Sequence, residues 1–213
     1  MRSYRTVSQE TRIELTIQKS RFIGWCYPVQ EERQALDILE GIRKRHWDAT
    51  HNCYAYSIGA DSACARYSDD GEPGGTAGLP MMEAIRHKGV TNVLCVVTRY
   101  FGGILLGAGG LVRAYSKAAA DSIEAAGIID MRPCRRFFIE MDYSRWGALE
   151  SLLRREGSDL SVEFAETVQA QLVVPEDKRE AFIKLIVERT DGRVRPQELA
   201  VCYGAFAGGG CAE

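Results

Sequence analysis

The sequence has no large excess of either charge, no long apolar run, no paired cysteine motif and no secretory leader pattern. Each absence excludes a class of protein. Twenty-seven Lys and Arg stand against 29 Asp and Glu, a net charge of −2. That balance excludes a grossly basic nucleic-acid binder, so any anion-binding surface must be local. The longest purely aliphatic stretch lies around Val93 to Val97, far short of the roughly 18 residues a membrane-spanning helix needs. The start, MRSYRTVSQETRIEL, contains no apolar core of the secretory type. A cytoplasmic protein with no membrane partner is expected. The seven cysteines, Cys26, Cys53, Cys64, Cys95, Cys134, Cys202 and Cys211, form no CxxC pair. This argues against both a disulfide framework and a Cys-rich zinc site. What is present is ordinary globular material, 46% hydrophobic and 26% charged over 213 residues. It suffices for one large domain or two small ones and excludes a disordered chain.

The pattern is mixed α+β. In the second part, Phe137, Ile139 and Met141 alternate with Phe138, Glu140 and Asp142, a strand periodicity. Ser144 is placed to cap a helix carrying Trp146, Leu149, Leu152 and Leu153 on one face, stopped at Gly157. Leu160, Val162 and Phe164, then Val168, Ala170, Leu172 and Val174, predict a hairpin. Pro175 opens a second helix with Ala181, Phe182, Leu185 and Ile186 inward, and a strand follows from about Val194 to Tyr203. The order βαββαβ is ferredoxin-like. The domains are read as 1–133 and 134–204, with a flexible glycine-rich tail over 205–213.

In the first part, strands are predicted over Arg12–Ile17, Arg21–Tyr27, residues 49–56, Ala63–Tyr67 and residues 90–100. A helix carries Ala35, Ile38, Leu39 and Ile42, and another covers Met81 to His87. This part holds 16 basic and 15 acidic residues, against 11 and 14 in the remainder, so charge points weakly to it for anionic partners.

The segment RYFGGILLGAGGLVRAYSKA, from Arg99 to Ala118, carries most information. A buried strand ends, glycines follow, and a helix begins with Leu111, Ala114, Tyr115, Ala118, Ser122 and Ile123 on one side. Gly107, Gly109 and Gly110 bare the backbone where the first N–H groups of a helix lack internal partners. Together with the macrodipole this favours a phosphate or carboxylate. Arg99 precedes the loop, and Arg113 and Lys117, four apart, share a helix face, so a small basic pocket is expected. The same glycines also suit a tight turn with close helix packing. The segment is neither GxGxxG nor a Walker A loop.

The loop SDDGEPGGTAG offers Asp69, Asp70 and Glu72, which with a bound phosphate would suit Mg²⁺; solvated turn charges are the plainer alternative. His51 and Cys53 share a strand face, where a Cys–His nucleophile pair is conceivable, while Tyr54 and Tyr56 face the other way. The run Arg43-Lys44-Arg45-His46 complements a helix C-terminus, and Trp47 beside it would allow RNA contact by charge and stacking.

KSRFIG, ATHNCYAY, SDDGEPGGTAG and above all VVTRYFGGILLGAGGLVRAYS resemble the IMPACT family in its bacterial, YigZ-type two-domain form, strongly over about residues 11–130. The resemblance implies a first domain with the fold of elongation factor G domain IV, the ribonuclease P protein and the GHMP kinases, with its βαβ unit. It implies a second domain like elongation factor G domain V. Eukaryotic members carry an extra N-terminal module that binds a regulator of the amino-acid-starvation kinase pathway. This chain begins at the shared domain, so that interaction is not expected to carry over. Leu105 stands where the family often has Lys, removing one phosphate contact, and Gly74 stands where Ser is frequent, removing a hydroxyl.

The expected function is therefore a non-catalytic binding protein associated with RNA, the ribosome or regulation of translation. Its site would be Arg99, Gly107, Gly109, Gly110, Arg113 and Lys117, with no cofactor other than Mg²⁺ at Asp69, Asp70 and Glu72. A protein–protein adaptor and an enzyme acting on a phosphorylated small molecule or nucleotide are the alternatives.

Overall fold

The computed structural model describes residues 1–207. It forms two compact units, one of Tyr4–Asp130 joined by Ala207, the other of Met1–Ser3 with Met131–Phe206.

The first unit contains β1 (Tyr4–Val7), β2 (Thr11–Ile17), β3 (Ser20–Pro28), α1 (Glu32–Arg45), β4 (His51–Ile58), β5 (Cys64–Ser68), α2 (Gly78–Lys88), β6 (Val93–Tyr100) and α3 (Gly107–Ala125). Strands β2 to β6 form one sheet in the order β2-β3-β6-β4-β5, antiparallel at every pairing. Because β3 and β4 both oppose β6, they run parallel to each other, and α1 joins them. This is a βαβ crossover with β6 inserted between its strands.

Both faces of the sheet are covered, which explains the unbroken apolar run of β6. On one face Phe22, Cys26, Cys95 and Val97 pack against Met81, Met82 and Ile85 of α2 and Leu111, Ala114, Tyr115 and Ala118 of α3. On the other, Ile23, Trp25, Leu94 and Val96 pack against Ala35, Leu39 and Ile42 of α1. The helical spacing of those apolar residues is what places each helix on its face. Tyr56 is buried in the α1 layer with its ring stacked on Tyr54, opposite in direction to Cys53, as strand alternation requires. Strand β1 was not legible in the sequence. It is too short for periodicity and is tied by Thr6 Oγ1 to the Asn92 carbonyl and by Thr91 N to the Arg5 carbonyl.

The second unit contains most of β7 (Ile128–Met141), then α4 (Tyr143–Glu156), β8 (Ser158–Phe164), β9 (Val168–Pro175), a 3₁₀ turn (Glu176–Lys178), α5 (Arg179–Arg189) and β10 (Gln197–Ala207). Strand β9 lies between β7 and β8, and β10 pairs with the other edge of β7. The order β8-β9-β7-β10 with helices after the first and third strands is the ferredoxin-like arrangement. Its core gathers Phe137, Ile139, Leu149, Leu153, Leu172, Phe182 and Ile186.

Four local expectations are corrected. Asp142, not Ser144, occupies the N-cap of α4, and its side chain makes no capping bond. Pro175 ends β9, and α5 begins only at Arg179. Ala181 is exposed, because the inward stripe of α5 passes through Phe182 and Ile186. Residues 205–207, counted with the tail, finish β10, where strand pairing orders them; residues 208–213 lie outside the described residues.

Candidate functional site

A cleft of about 360 Å³ opens between the end of β6, the start of β4, the loop after β5 and the start of α3. Its floor is polar and holds His51, Glu72 and Arg99; its walls are Pro73, Phe101, Leu105, Leu106 and Leu111, and Gly107 and Ala108 close one end.

The floor is built around Glu72, whose side chain is only 3% exposed. Its Oε1 accepts from Arg99 Nη1 at 2.6 Å and from the Tyr115 hydroxyl at 2.7 Å. Arg99 is itself buried, lies over the rings of Phe22 and Phe101, and reaches Ser20 Oγ. The β4–β6 register places His51 opposite Arg99, so the sheet itself brings the two residues together. His51 Nδ1 lies 2.8 Å from the Asp70 carbonyl, which only accepts, so the proton sits on Nδ1. The other nitrogen, Nε2, then faces Glu72 Oε2 at 3.8 Å, too far for a hydrogen bond. Among the described residues no donor reaches Glu72 Oε2.

The loop over residues 68–78 owes its shape to its two aspartates. Asp69 accepts from the N–H groups of Gly75, Ala77 and Gly78, and so caps α2 from a distance in sequence. Asp70 pairs with Arg43 at 2.8 Å and accepts from Asn52 N at 2.7 Å. Asp69, Asp70 and Glu72 are thus turned to different partners. Among the described residues no group of three His, Cys, Asp or Glu side chains is arranged to hold a metal. Backbone amides take the Asp69 carboxylate, Arg43 and the Asn52 amide take that of Asp70, and Glu72 turns away to Arg99 and Tyr115, so the three carboxylates expected to share Mg²⁺ do not face one another.

Burial pushes the Asp69 carboxyl up, but the three amides together outweigh it and hold the group below its unfolded value near 3.8. A depressed folded-state value means that the stabilisation is whole above the unfolded value and is lost as pH falls through the folded one. Asp69→Asn is expected to cost about 1–2 kcal/mol near neutral pH, as loss of a cap does. It should also flatten the fall in melting temperature on acidification. Parallel acid titrations of wild type and variant by circular dichroism check this, and identical slopes would refute it.

Cys53 does not form a nucleophile pair with His51. It shares the face, but its thiol donates to the Asp69 carbonyl, and burial, the largest cause, pushes it up to about 12. Burial likewise raises the Tyr115 hydroxyl, helped by Cys53 and Glu72, so Tyr115 stays protonated and donates.

The start of α3 is open. Gly107 takes φ +70°, left-handed backbone that suits glycine, and Gly107, Ala108 and Gly109 are exposed. No side chain caps the helix, and among the described residues no acceptor reaches these first N–H groups. Arg113 and Lys117 line a shallow depression with Gln18, Leu106 and Gly110. Lys117 pairs with Asp121 one turn on, while Arg113 is exposed with no ion-pair partner among the described residues. The expected basic pocket is therefore divided by Leu106, which borders both hollows. Gly107 lines the cleft, and Gly110, Arg113 and Lys117 line the depression. Arg99 leaves the anion set, because Glu72 neutralises it underneath. The residues that sequence reasoning missed are Glu72 as a partner of Arg99 and Tyr115 as a polar group of the floor. Tyr115 carried only a core-face signal, and no spacing rule links residues 72 and 99.

The basic run closing α1 stands as a helix-end complement, with Lys44 paired to Glu40 and Arg43 to Asp70. Trp47 beyond it is 82% exposed.

Taken together, fold and site define a two-domain α+β protein with a glycine-loop cleft in its antiparallel first unit and a ferredoxin-like second unit. Residues 18–123 match the Impact N-terminal domain, and residues 139–193 match a domain of unknown function, DUF1949. The chain belongs to the IMPACT family. It is similar to IMPACT family member YvyE of Bacillus subtilis, 38% identical over 204 residues, 95% of this chain and 94% of that one. It is also similar to IMPACT family member YigZ of Escherichia coli, 33% identical over 84% of this chain and 89% of that one. Protein IMPACT homolog of Dictyostelium discoideum is 37% identical over 97 residues, 44% of this chain and 28% of that protein. A solved structure described as a hypothetical protein superposes with a TM-score of 0.61 at 30% identity, covering 94% of this chain and 98% of that one. No described helix is long and apolar enough to cross a membrane.

Proposed function

We propose that this chain is a non-catalytic binding protein of the cytoplasmic translation machinery that holds RNA backbone at the start of α3. The observation that carries the reading is the open, uncapped helix start beside Arg113 and Lys117 in a protein of net charge −2. The free amides at the positive end of the helix dipole open on one side of Leu106 and the unpaired guanidinium of Arg113 on the other, so a run of backbone phosphates rather than a single one suits the surface. The glycines remove side chains that would keep a phosphate away. The family's likeness in fold to translation factors supports the same reading by analogy.

Phosphate contacts of this kind give salt-dependent, weakly sequence-specific affinity. Arg113→Ala is expected to weaken binding to RNA or ribosomes and to reduce the slope of log affinity against log salt by about one contact's share. Co-sedimentation with ribosomes across a salt series checks this, and an unchanged slope would remove the reading. Phe101, Ile104 and Leu105 are exposed beside the same helix start, with Leu105 at 85%, which favours a protein partner as the second reading. Binding that is indifferent to salt yet abolished by Leu105→Asp would select it.

A further inference from the structure

The cleft beside the α3 start has a floor whose hydrogen bonding is incomplete: the sealed Arg99 Nε has no acceptor, and one Glu72 oxygen that lines the cleft has no donor. Glu72 Oε1 is filled by Arg99 and Tyr115, while Oε2 receives no hydrogen bond. In its neutral form, with the proton on Nδ1, His51 presents Nε2 as a second acceptor 3.8 Å away. Two acceptors thus face each other over a buried floor, and what completes them is a donor between them. Glu72 keeps 3% of its side chain exposed and lines the cleft, so its free oxygen is open to a donor seated there.

We infer that the cleft is a binding site for a nucleobase with an exocyclic amino group at purine C6 or pyrimidine C4, adenine or cytosine rather than uracil. An amino group donates to Glu72 Oε2 and His51 Nε2 together. Uracil puts a carbonyl oxygen at the corresponding edge, a third acceptor against two, and is repelled. Phe101, Leu105, Leu106 and Pro73 offer apolar flanks to a flat ring. Gly107 and Ala108 line the same cleft, so the free amides of α3 lie at the end where the nucleotide's phosphate would be. At about 360 Å³ the cleft is of the size that holds one small ligand. The base would come from an RNA strand, in which case the inference rests on the reading above, or from a free nucleotide, in which case it stands without it.

The experiment measures binding of labelled oligo(A), oligo(C) and oligo(U), and separately of AMP, CMP and UMP, to the full chain. Adenine and cytosine forms are expected to bind roughly tenfold more tightly than uracil forms, the discrimination that base-edge hydrogen bonds supply. His51→Gln should bring the two within about twofold, while Arg113→Ala should weaken all oligonucleotides alike and leave the preference intact. Leu105→Ala, at an 85% exposed position that folding does not use, should weaken both base classes and serves should His51→Gln fold poorly. Equal binding of all oligonucleotides and of all mononucleotides would overturn the inference and leave the RNA reading standing. Discrimination among mononucleotides with no oligonucleotide binding would support the inference and remove the RNA reading. No binding of either kind would overturn both.

Discussion

Glu72→Ala is expected to lower the free energy of unfolding by about 3–5 kcal/mol, the cost of leaving a buried charge unpaired. Arg99 keeps only 6% of its side chain exposed, and without Glu72 its guanidinium has Ser20 Oγ at 3.4 Å and two aromatic rings as company. The Tyr115 hydroxyl loses its acceptor in the same step. The magnitude separates this pair from the surface. Lys117–Asp121 has comparable geometry, but its side chains are 59% and 34% exposed, and breaking it is expected to cost well under about 1 kcal/mol. Equilibrium urea unfolding of Glu72→Ala and Asp121→Ala makes the comparison. The double variant Glu72→Leu, Arg99→Met should recover most of the loss, because a buried pair replaced by apolar side chains of similar size is often tolerated. A loss for Glu72→Ala no larger than that for Asp121→Ala would mean that water reaches the floor and that the pair is not sealed from solvent.

Gly102→Ala is expected to cost about 3 kcal/mol or more, at the upper end for an added methyl group. A Cβ there would collide with the backbone carbonyl of Lys19 and the amide nitrogen of Ser20, which cannot rotate away as side chains do. The turn is held by Phe101 N donating to Thr50 Oγ1 and Gly102 N donating to Ser20 Oγ. Displacing it moves Phe101, a wall of the cleft, so binding at the cleft should fall along with stability. Gly74→Ala makes the same chemical change where nothing lies within reach of the new methyl and the backbone is not left-handed, and it should stay within about 0.5 kcal/mol of wild type. Thermal melts of the two variants test the contrast, and a mild Gly102→Ala would show that the β2–β3 turn yields.

Much was legible in the chain itself. Leu111, Ala114, Tyr115, Ala118, Ser122 and Ile123 follow helical spacing and are all buried in α3, because a helix that must cover a sheet leaves its apolar stripe visible in order. Alternation in Phe137, Ile139 and Met141 and in Val168 to Val174 foretold the strands of the second unit for the same reason. Glycines marked the bare start of α3, since their effect is on their own backbone. These are local properties, written within a turn or two of each residue. The candidate site was another matter. Arg99 and Glu72 are 27 residues apart and His51 precedes both on another strand, and only the antiparallel register of β4 on β6 and the loop shaped by Asp69 bring them to one floor. Read in isolation, a lone arginine before a glycine loop is a free cation, and three nearby carboxylates are a metal set. Tertiary contacts reassigned both, because a charge is completed by whichever partner folding brings within hydrogen-bond reach, however far away in the chain.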